Sequence, residues 1–272
     1  MSGMMDGKTM DTVIACFSGA GNSWHVAQTL ARSLGHARVV MMTDVLNGNE
    51  TLGDPQQLGL VYPVYIMGPP PTVARFIETV LGTMEFSDLQ YLFQVATHAS
   101  KGGACLAVTE RLCQKAGMNV SYSAFISMPN TMVFDSRLPE QEQFDAAIVD
   151  ADSSVDRIVQ GIVCGKIVIP KGVVSSRLYL GLRRIPPRIL ATFSGRFVVT
   201  EDCTKCGLCY RGCPAGNITM TENGPQFGHT CEGCMGCYHR CPEHAIAFTT
   251  PPKAGYTWYN ERRTGFMPEY RT

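Results

Sequence analysis

The sequence predicts an α/β chain: a doubly wound sheet of five parallel strands, then a small α+β domain rich in cysteine. Short apolar runs alternate with helical patterns between residues 12 and 164, the pattern of parallel strands joined by helical crossovers. Loops rich in small residues or proline follow three of those runs. Eight of the 12 cysteines fall between residues 203 and 241, in two copies of one spacing. With 272 residues, 45% of them hydrophobic, the chain suits one large or two smaller domains.

After a loose N-terminus, Thr12 to Phe17 is a continuous apolar run, as expected of a strand buried on both faces. It ends in Ser18-Gly19-Ala20-Gly21-Asn22-Ser23, and a helical pattern runs from Trp24 to about Leu34. Further strands are expected at 37–42, 58–62, 91–96 and 120–126, with helices at 72–81 and 104–116. A long helical stretch, broken or bent, is expected over 139–164. Ligands of doubly wound sheets lie at the carboxyl ends of the strands. The loops 18–23, 63–71 and 97–103 all follow strands and therefore converge on one edge. A strand, a small-residue loop and a helix start make an anion-binding arrangement. An anion can approach the backbone, and N–H groups and the Ser18, Asn22 and Ser23 side chains can donate to it. The loop lacks the Lys-Ser/Thr ending of a nucleotide P-loop and the spacing of a dinucleotide site. A tight turn without a ligand is the plainer alternative.

The first cysteine motif is Cys203, Cys206, Cys209 and Cys213 followed by Pro214; the second is Cys231, Cys234, Cys237 and Cys241 followed by Pro242. Each reads C-x2-C-x2-C-x3-C-P, the spacing of bacterial proteins with two 4Fe–4S clusters, in which the fourth cysteine serves the other cluster. Cluster one would then take Cys203, Cys206, Cys209 and Cys241, and cluster two Cys231, Cys234, Cys237 and Cys213. Zinc sites use pairs rather than triplets with a distant fourth ligand, and disulfides need an oxidising compartment. Between the motifs, Ile218–Met220 and Pro225–Phe227 flank Glu-Asn-Gly, a hairpin signal. Ala-Gly-Asn-Ile after the first Cys-Pro and Glu-His-Ala-Ile after the second point to an internal two-fold.

Charge divides the chain further. Residues 1–165 carry 9 Lys and Arg against 16 Asp and Glu, whereas 166–197 carry 7 and none. Residues 1–165 are thus read as the first domain, 166–197 as a basic linker, 198–250 as the cysteine-rich domain and 251–272 as an aromatic tail. The linker most simply lies against the acidic blocks, a polyanion or membrane-surface role being the alternative. Within it, residues 176–188 suggest a docked helical piece stopped by Pro186 and Pro187. No transmembrane segment or signal-peptide core is legible, so a cytoplasmic location is expected. Cys16, Cys105, Cys113 and Cys164 read as buried and inert, and Trp24 and His25 as packing residues. His229 and His239 are read as tuning hydrogen bonds near the clusters rather than as ligands. Tyr256, Trp258, Tyr259 and Phe266 would cover the domain boundary or pack on a surface.

The loop from Phe17 to Ser23 resembles the FMN phosphate loop of flavodoxins, usually Ser/Thr-x-Thr-Gly-Asn-Thr. With the distal cysteines, nearly the whole chain resembles the flavodoxin–ferredoxin fusion proteins of anaerobic bacteria and archaea. The proline-rich loop after the third strand and Met128-Pro129-Asn130 after the fifth fit the same pattern. The resemblance implies a flavodoxin-like FMN domain and a ferredoxin-like domain with two 4Fe–4S clusters. Ser18, Gly19, Ala20, Gly21, Asn22 and Ser23 would hold the phosphate. Pro63, Val64, Tyr65, Ile66, Met67 and Gly68 would flank the isoalloxazine, with Thr97, His98, Ala99, Gly102 and Gly103 on the other side. Ala20 departs from the usual Thr, and a lost hydrogen bond to a charged group costs roughly 1.5–3 kcal/mol.

Strand alternation lets only one of Tyr62 and Tyr65 face the flavin. His98 and Lys101 join Tyr65 as candidate reactive residues, against ordinary loop roles for each. Clusters carry single electrons and a flavin one or two, so their union is a converter. The preferred function is an electron relay to a redox protein, a ferredoxin-like donor or a reductase. A reductase of a small organic acceptor and a redox-sensing module are the alternatives. No nucleic-acid partner is expected, and a homodimer is compatible with the sequence.

Overall fold

In the computed structural model, residues 10–35, 37–132, 141–170, 185–249 and 268–270 are described. Strands β1 (Thr12–Cys16), β2 (Ala37–Met41), β3 (Gln57–Pro63), β4 (Tyr91–His98) and β5 (Tyr122–Ser127) pair in the order β2-β1-β3-β4-β5. All four pairings are parallel. Every side chain of β1 is buried, because alternate residues point to opposite faces and both faces are covered. Val13, Ala15 and Phe17 enter one core with Leu60, Tyr62 and Phe76. Ile14 and Cys16 enter the other with Val26, Leu30 and Ile158.

Helices α1 (Asn22–Leu34), α2 (Met42–Leu46), α3 (Pro71–Phe76), α4 (Cys105–Lys115) and α5 (Gln141–Val163) complete the layers. α1 and α5 share the second core and are joined by His25 Nε2 and Asp152 Oδ1 at 2.7 Å. α3 and α4 supply the first core. The chain leaves β1 toward β2 on one side and returns to β3 on the other. That order, with its switch point between β1 and β3, is flavodoxin-like.

Several elements differ from expectation. Met42, expected to end a strand, opens α2 instead. The stretch after residue 140 forms one continuous helix rather than a broken one. Pro186 and Pro187 lie in the first turn of α6 (Ile185–Ala191) instead of stopping a helix, because N–H groups in a first turn have no intrahelical partner to lose. Cys164 is exposed, unlike buried Cys16, Cys105 and Cys113, since it follows the last turn of α5. Residues 176–184 of the expected linker helix lie outside the described residues, as do Tyr256, Trp258, Tyr259 and Phe266 of the tail. Among the described residues, no helix is long and apolar enough to cross a membrane.

The cysteine-rich unit is built on two antiparallel pairs. β6 (Phe197–Val199) pairs with β9 (Ile246–Phe248), and β7 (Ile218–Thr221) with β8 (Gly224–Phe227). Phe197, Tyr238 and Phe248 form its small core with Cys209, Cys231, Cys237 and Cys241 against them. Short helices α7 (Leu208–Arg211) and α8 (Gly236–His239) carry the ends of the motifs. The two motifs repeat one backbone. Lys205 and Gly207 have φ of 58° and 78°, and the matching Gly233 and Met235 have 66° and 58°.

Tyr270, near the end of the sequence, is 4% exposed and belongs to the core on the α1 and α5 side of the sheet. Its N–H donates to Arg211 O at 2.8 Å, and its carbonyl accepts from Asn47 Nδ2 at 3.5 Å. The segment therefore ties α7 to the end of α2. Its hydroxyl is buried without a partner among the described residues. Tyr270→Ala is expected to destabilise the protein by about 3–4 kcal/mol, read as a lowered midpoint in anaerobic urea unfolding. Tyr270→Phe should leave that midpoint nearly unchanged.

Candidate functional site

A cleft opens at the carboxyl edge of the sheet, beside the β1/β3 switch point. The three expected loops meet there. Ser18, Gly19, Ala20, Asn22 and Ser23 line it from the first, Pro63, Val64 and Tyr65 from the second, and Thr97, His98 and Ala99 from the third. Gly21 has φ 115° and precedes α1, a conformation that favours glycine. Ser18 Oγ accepts from Gly21 N at 3.2 Å, which leaves its O–H proton to donate. Ser23 Oγ and Thr97 Oγ1 stand 2.8 Å apart. Asn22 turns away in part, donating from Nδ2 to Pro129 O at 2.8 Å. Its buried Oδ1 and His98 Nδ1 have no partner among the described residues, so the cleft contains unsatisfied polar groups that a ligand could meet.

The alternation between Tyr62 and Tyr65 resolves in favour of Tyr65. Tyr62 is fully buried in the core and bonded to Gln94 Oε1, whereas Tyr65 lines the cleft, edge-on to Phe17 with ring centroids 6.3 Å apart. Ile66, Met67 and Gly68 do not line it. Tyr65 and Gly68 exchange backbone hydrogen bonds of 2.8 and 3.0 Å around Ile66 and Met67, whose φ values are 46° and 64°. Such two-residue turns ordinarily carry Asn-Gly, and a β-branched residue there is strained. Gly102 and Gly103 also lie outside the lining; added Cβ atoms would meet the Phe125 ring and Met67 respectively. His98 packs edge-on to Phe125, centroids 5.4 Å apart, and burial holds its pKa below the ordinary value. Lys101 is exposed in the same loop.

Sequence reasoning missed the remaining wall of the cleft. Pro129 to Met132 close one side, and Gly233, Cys234 and Met235 of the second cysteine motif close another. Met128-Pro129-Asn130 was at least marked by resemblance; nothing local marks 233–235, which lie more than a hundred residues from the other loops. The two units meet by contact and buried hydrogen bonds. A Cβ on Gly19 would collide with the Cys234 carbonyl and stand 2.6 Å from Cys234 Cβ. Arg240 donates to Gly19 O and Gly212 O. Thr72 Oγ1 donates to Glu232 Oε1 at 2.6 Å, and His239 Nε2 to Thr131 O at 2.8 Å. Burial pushes the Glu232 carboxyl up to about 7, against the lowering effect of Thr72, and pushes His239 down to about 4. His239 thus serves the junction, while His229 is exposed.

The eight cysteines separate into two crossed sets. Cys203, Cys206, Cys209 and Cys241 line one pocket. Burial pushes Cys209 up to about 11, and among the neighbouring thiols that add to this are Cys206, Cys241 and Cys203. Burial likewise pushes Cys231 up to about 11 and Cys234 up to about 12, each with repulsion from Cys213. Cys237 is raised by burial and then by Cys234, Cys213 and Cys231, with Cys209 last. The donor sets therefore fit groups bearing positive metal ions, against which buried thiols readily ionise. Among the described residues, no group of three or more His, Cys, Asp or Glu is suited to a single metal ion. Backbone N–H groups reach Cys213, Cys231 and Cys241 Sγ at 3.3, 3.3 and 3.2 Å.

Residues 202–246 match the family described as the 4Fe-4S dicluster domain. Over 49 residues the chain is 43% identical to pyruvate synthase subunit PorD of Methanocaldococcus jannaschii, covering 17% of this chain and 56% of that protein. Over 51 residues it is 41% identical to an uncharacterized ferredoxin of the same organism, covering 17% of this chain and 66% of that protein. The chain thus spans little more than half to about two thirds of these relatives. Among solved structures, a flavodoxin from the domain Archaea aligns at 12% identity with a TM-score of 0.35, covering 56% of this chain and 99% of that one. The NAD(P)H:quinone oxidoreductase of Methanothermobacter marburgensis aligns at 13% with 0.40, covering 56% and 96%. Residues 202–246 are thus a ferredoxin-like segment of the dicluster type. With the sheet order that precedes it, the chain has the architecture of a flavodoxin–ferredoxin fusion.

The Gly19 contact gives a direct test of the junction. Gly19→Ala is expected to cost about 1–3 kcal/mol through overpacking against a backbone carbonyl. It should also speed hydrogen exchange at the amides of residues 233–235, measured by mass spectrometry.

Proposed function

We propose that the chain relays electrons between two 4Fe–4S clusters and FMN and passes them to a redox protein. One observation carries this reading: residues 233–235, inside the second cysteine motif, form a wall of the same cleft as the 18–23 loop. When bound, the clusters supply one-electron steps and the flavin one- or two-electron steps. Cys231, Cys234, Cys237 and Cys213 hold the cluster nearer the flavin. Cys203, Cys206, Cys209 and Cys241 hold the other, where exposed Cys206 offers the point of exchange with a partner. Ser18 to Ser23 hold the flavin phosphate through backbone N–H groups and the Ser18 hydroxyl. Pro63 to Tyr65 and Thr97 to Ala99 flank the ring. In the domain organisation, residues 1–165 form the flavin unit, 166–197 the basic linker, 198–250 the ferredoxin-like unit and 251–272 the tail.

A second reading, a reductase of a small organic acceptor, is favoured by His98. His98 lines the cleft, its buried Nδ1 has no partner among the described residues, and a neutral imidazole can donate a hydrogen bond to a bound acceptor.

Two experiments test these assignments. Cys241→Ser should abolish or alter the electron paramagnetic resonance signal of the first cluster while sparing the second. The reverse pattern would overturn the crossed ligand sets. Anaerobically reduced protein, followed by absorbance, should be reoxidised rapidly by the protein fraction of a cell extract and slowly by its small-molecule filtrate. Rapid reoxidation by the filtrate would favour the reductase.

A further inference from the structure

Three glycines from three distant segments enclose one guanidinium. Arg240 is 5% exposed; its Nη1 donates to Gly19 O at 3.3 Å and its Nη2 to Gly212 O at 2.5 Å. A Cβ added at Gly212 would stand 3.0 Å from Nη2, and one at Gly236 2.7 Å from it. The same atom on Gly236 would stand 2.9 Å from Gly19 O. Gly19 belongs to the phosphate loop. Gly212 directly precedes Cys213, and Gly236 lies between Cys234 and Cys237. The guanidinium is therefore embedded where the flavin loop, the end of the first motif and the turn of the second come together. Larger side chains at Gly212 or Gly236 would crowd it.

We propose that Arg240 positions the phosphate loop against the second cysteine motif and, through its fixed charge, raises the reduction potential of the nearer cluster. This rests on the reading of Cys213, Cys231, Cys234 and Cys237 as the ligands of that cluster. Two physical properties support the role. A guanidinium presents several N–H donors in a rigid planar fork, so one side chain joins two carbonyls and brings a positive charge. A one-electron reductant adds one negative charge to the cluster it reduces, and a buried cation favours the reduced form more strongly than one in water. Gly19 carries the other half of the device, because its missing side chain allows the approach to Cys234.

The test uses the full chain with clusters and flavin in place, prepared anaerobically, in the forms Arg240→Lys and Arg240→Gln. Both clusters are titrated by electron paramagnetic resonance and the flavin by absorbance. Electron exchange between flavin and clusters is timed after photoreduction. Arg240→Gln should shift the reduced-to-oxidised ratio of the nearer cluster about tenfold toward oxidised at a fixed potential, equivalent to about 59 mV for one electron. The farther cluster should move less. Arg240→Lys should keep the nearer cluster's ratio within about threefold while slowing exchange with the flavin, because it keeps the charge and loses the fork. Unchanged cluster ratios in Arg240→Gln would overturn the electrostatic role. If that variant fails to assemble, a tenfold shift in Arg240→Lys, with the charge retained, would overturn it equally. Unchanged exchange in Arg240→Lys would overturn the positioning role. Failure of the relay is distinguishable: flavin and clusters would then not exchange electrons in the unsubstituted protein, whereas the cluster titration reads the charge without any exchange.

Discussion

The junction between sheet and cysteine-rich unit is set by an approach so close that the 18–23 loop has no space for a Cβ at Gly19. Around that contact, Arg240, the Thr72–Glu232 pair and the His239–Thr131 pair satisfy polar groups withdrawn from water. A buried donor or acceptor left unpaired costs about 1–3 kcal/mol, so these bonds favour one docking over loosely related ones. The same junction brings the second motif to the cleft. Pairing of residues 268–270 with α7 and of Tyr270 with Asn47 adds a further tie across it.

The sheet prepares this junction. Because β1 lies between β2 and β3, the chain leaves it in opposite directions and opens a crevice at its carboxyl end. The cleft is lined by the loop after β1 together with those after β3, β4 and β5. One place of strain stands out nearby, where Ile66 and Met67 both take positive φ in a turn that ordinarily carries Asn-Gly. Their side chains are exposed outside the cleft at 39% and 59%, and the strain sits in the backbone that follows Tyr65.

The cysteine motifs show the converse economy, one backbone used twice. Positive φ values at the third and fifth positions of each motif turn the chain around its thiols. The fourth cysteine of each follows a short helix. Burial and mutual repulsion disfavour ionised thiols in these sets. Positive metal ions, when bound, would supply the missing stabilisation and link metal binding to the order of this unit.

Much of this was legible in the residues. Continuous apolar runs determine parallel strands because a strand buried on both faces needs apolar side chains on both. Cysteine spacing determines the ferredoxin-like segment because ligand geometry restricts the distance between thiols along the chain. Small residues at 18–23 mark a loop whose backbone must be approached, but not by what. Only the tertiary structure decided that Gly19 makes room for Cys234, that Tyr65 rather than Tyr62 reaches the cleft, and that Ile66 to Gly68 do not line it. Tyr270 and Arg240 carry no local signal at all. Periodicity and spacing report a segment's own geometry, whereas these residues acquire their roles from surfaces brought together from more than two hundred residues apart.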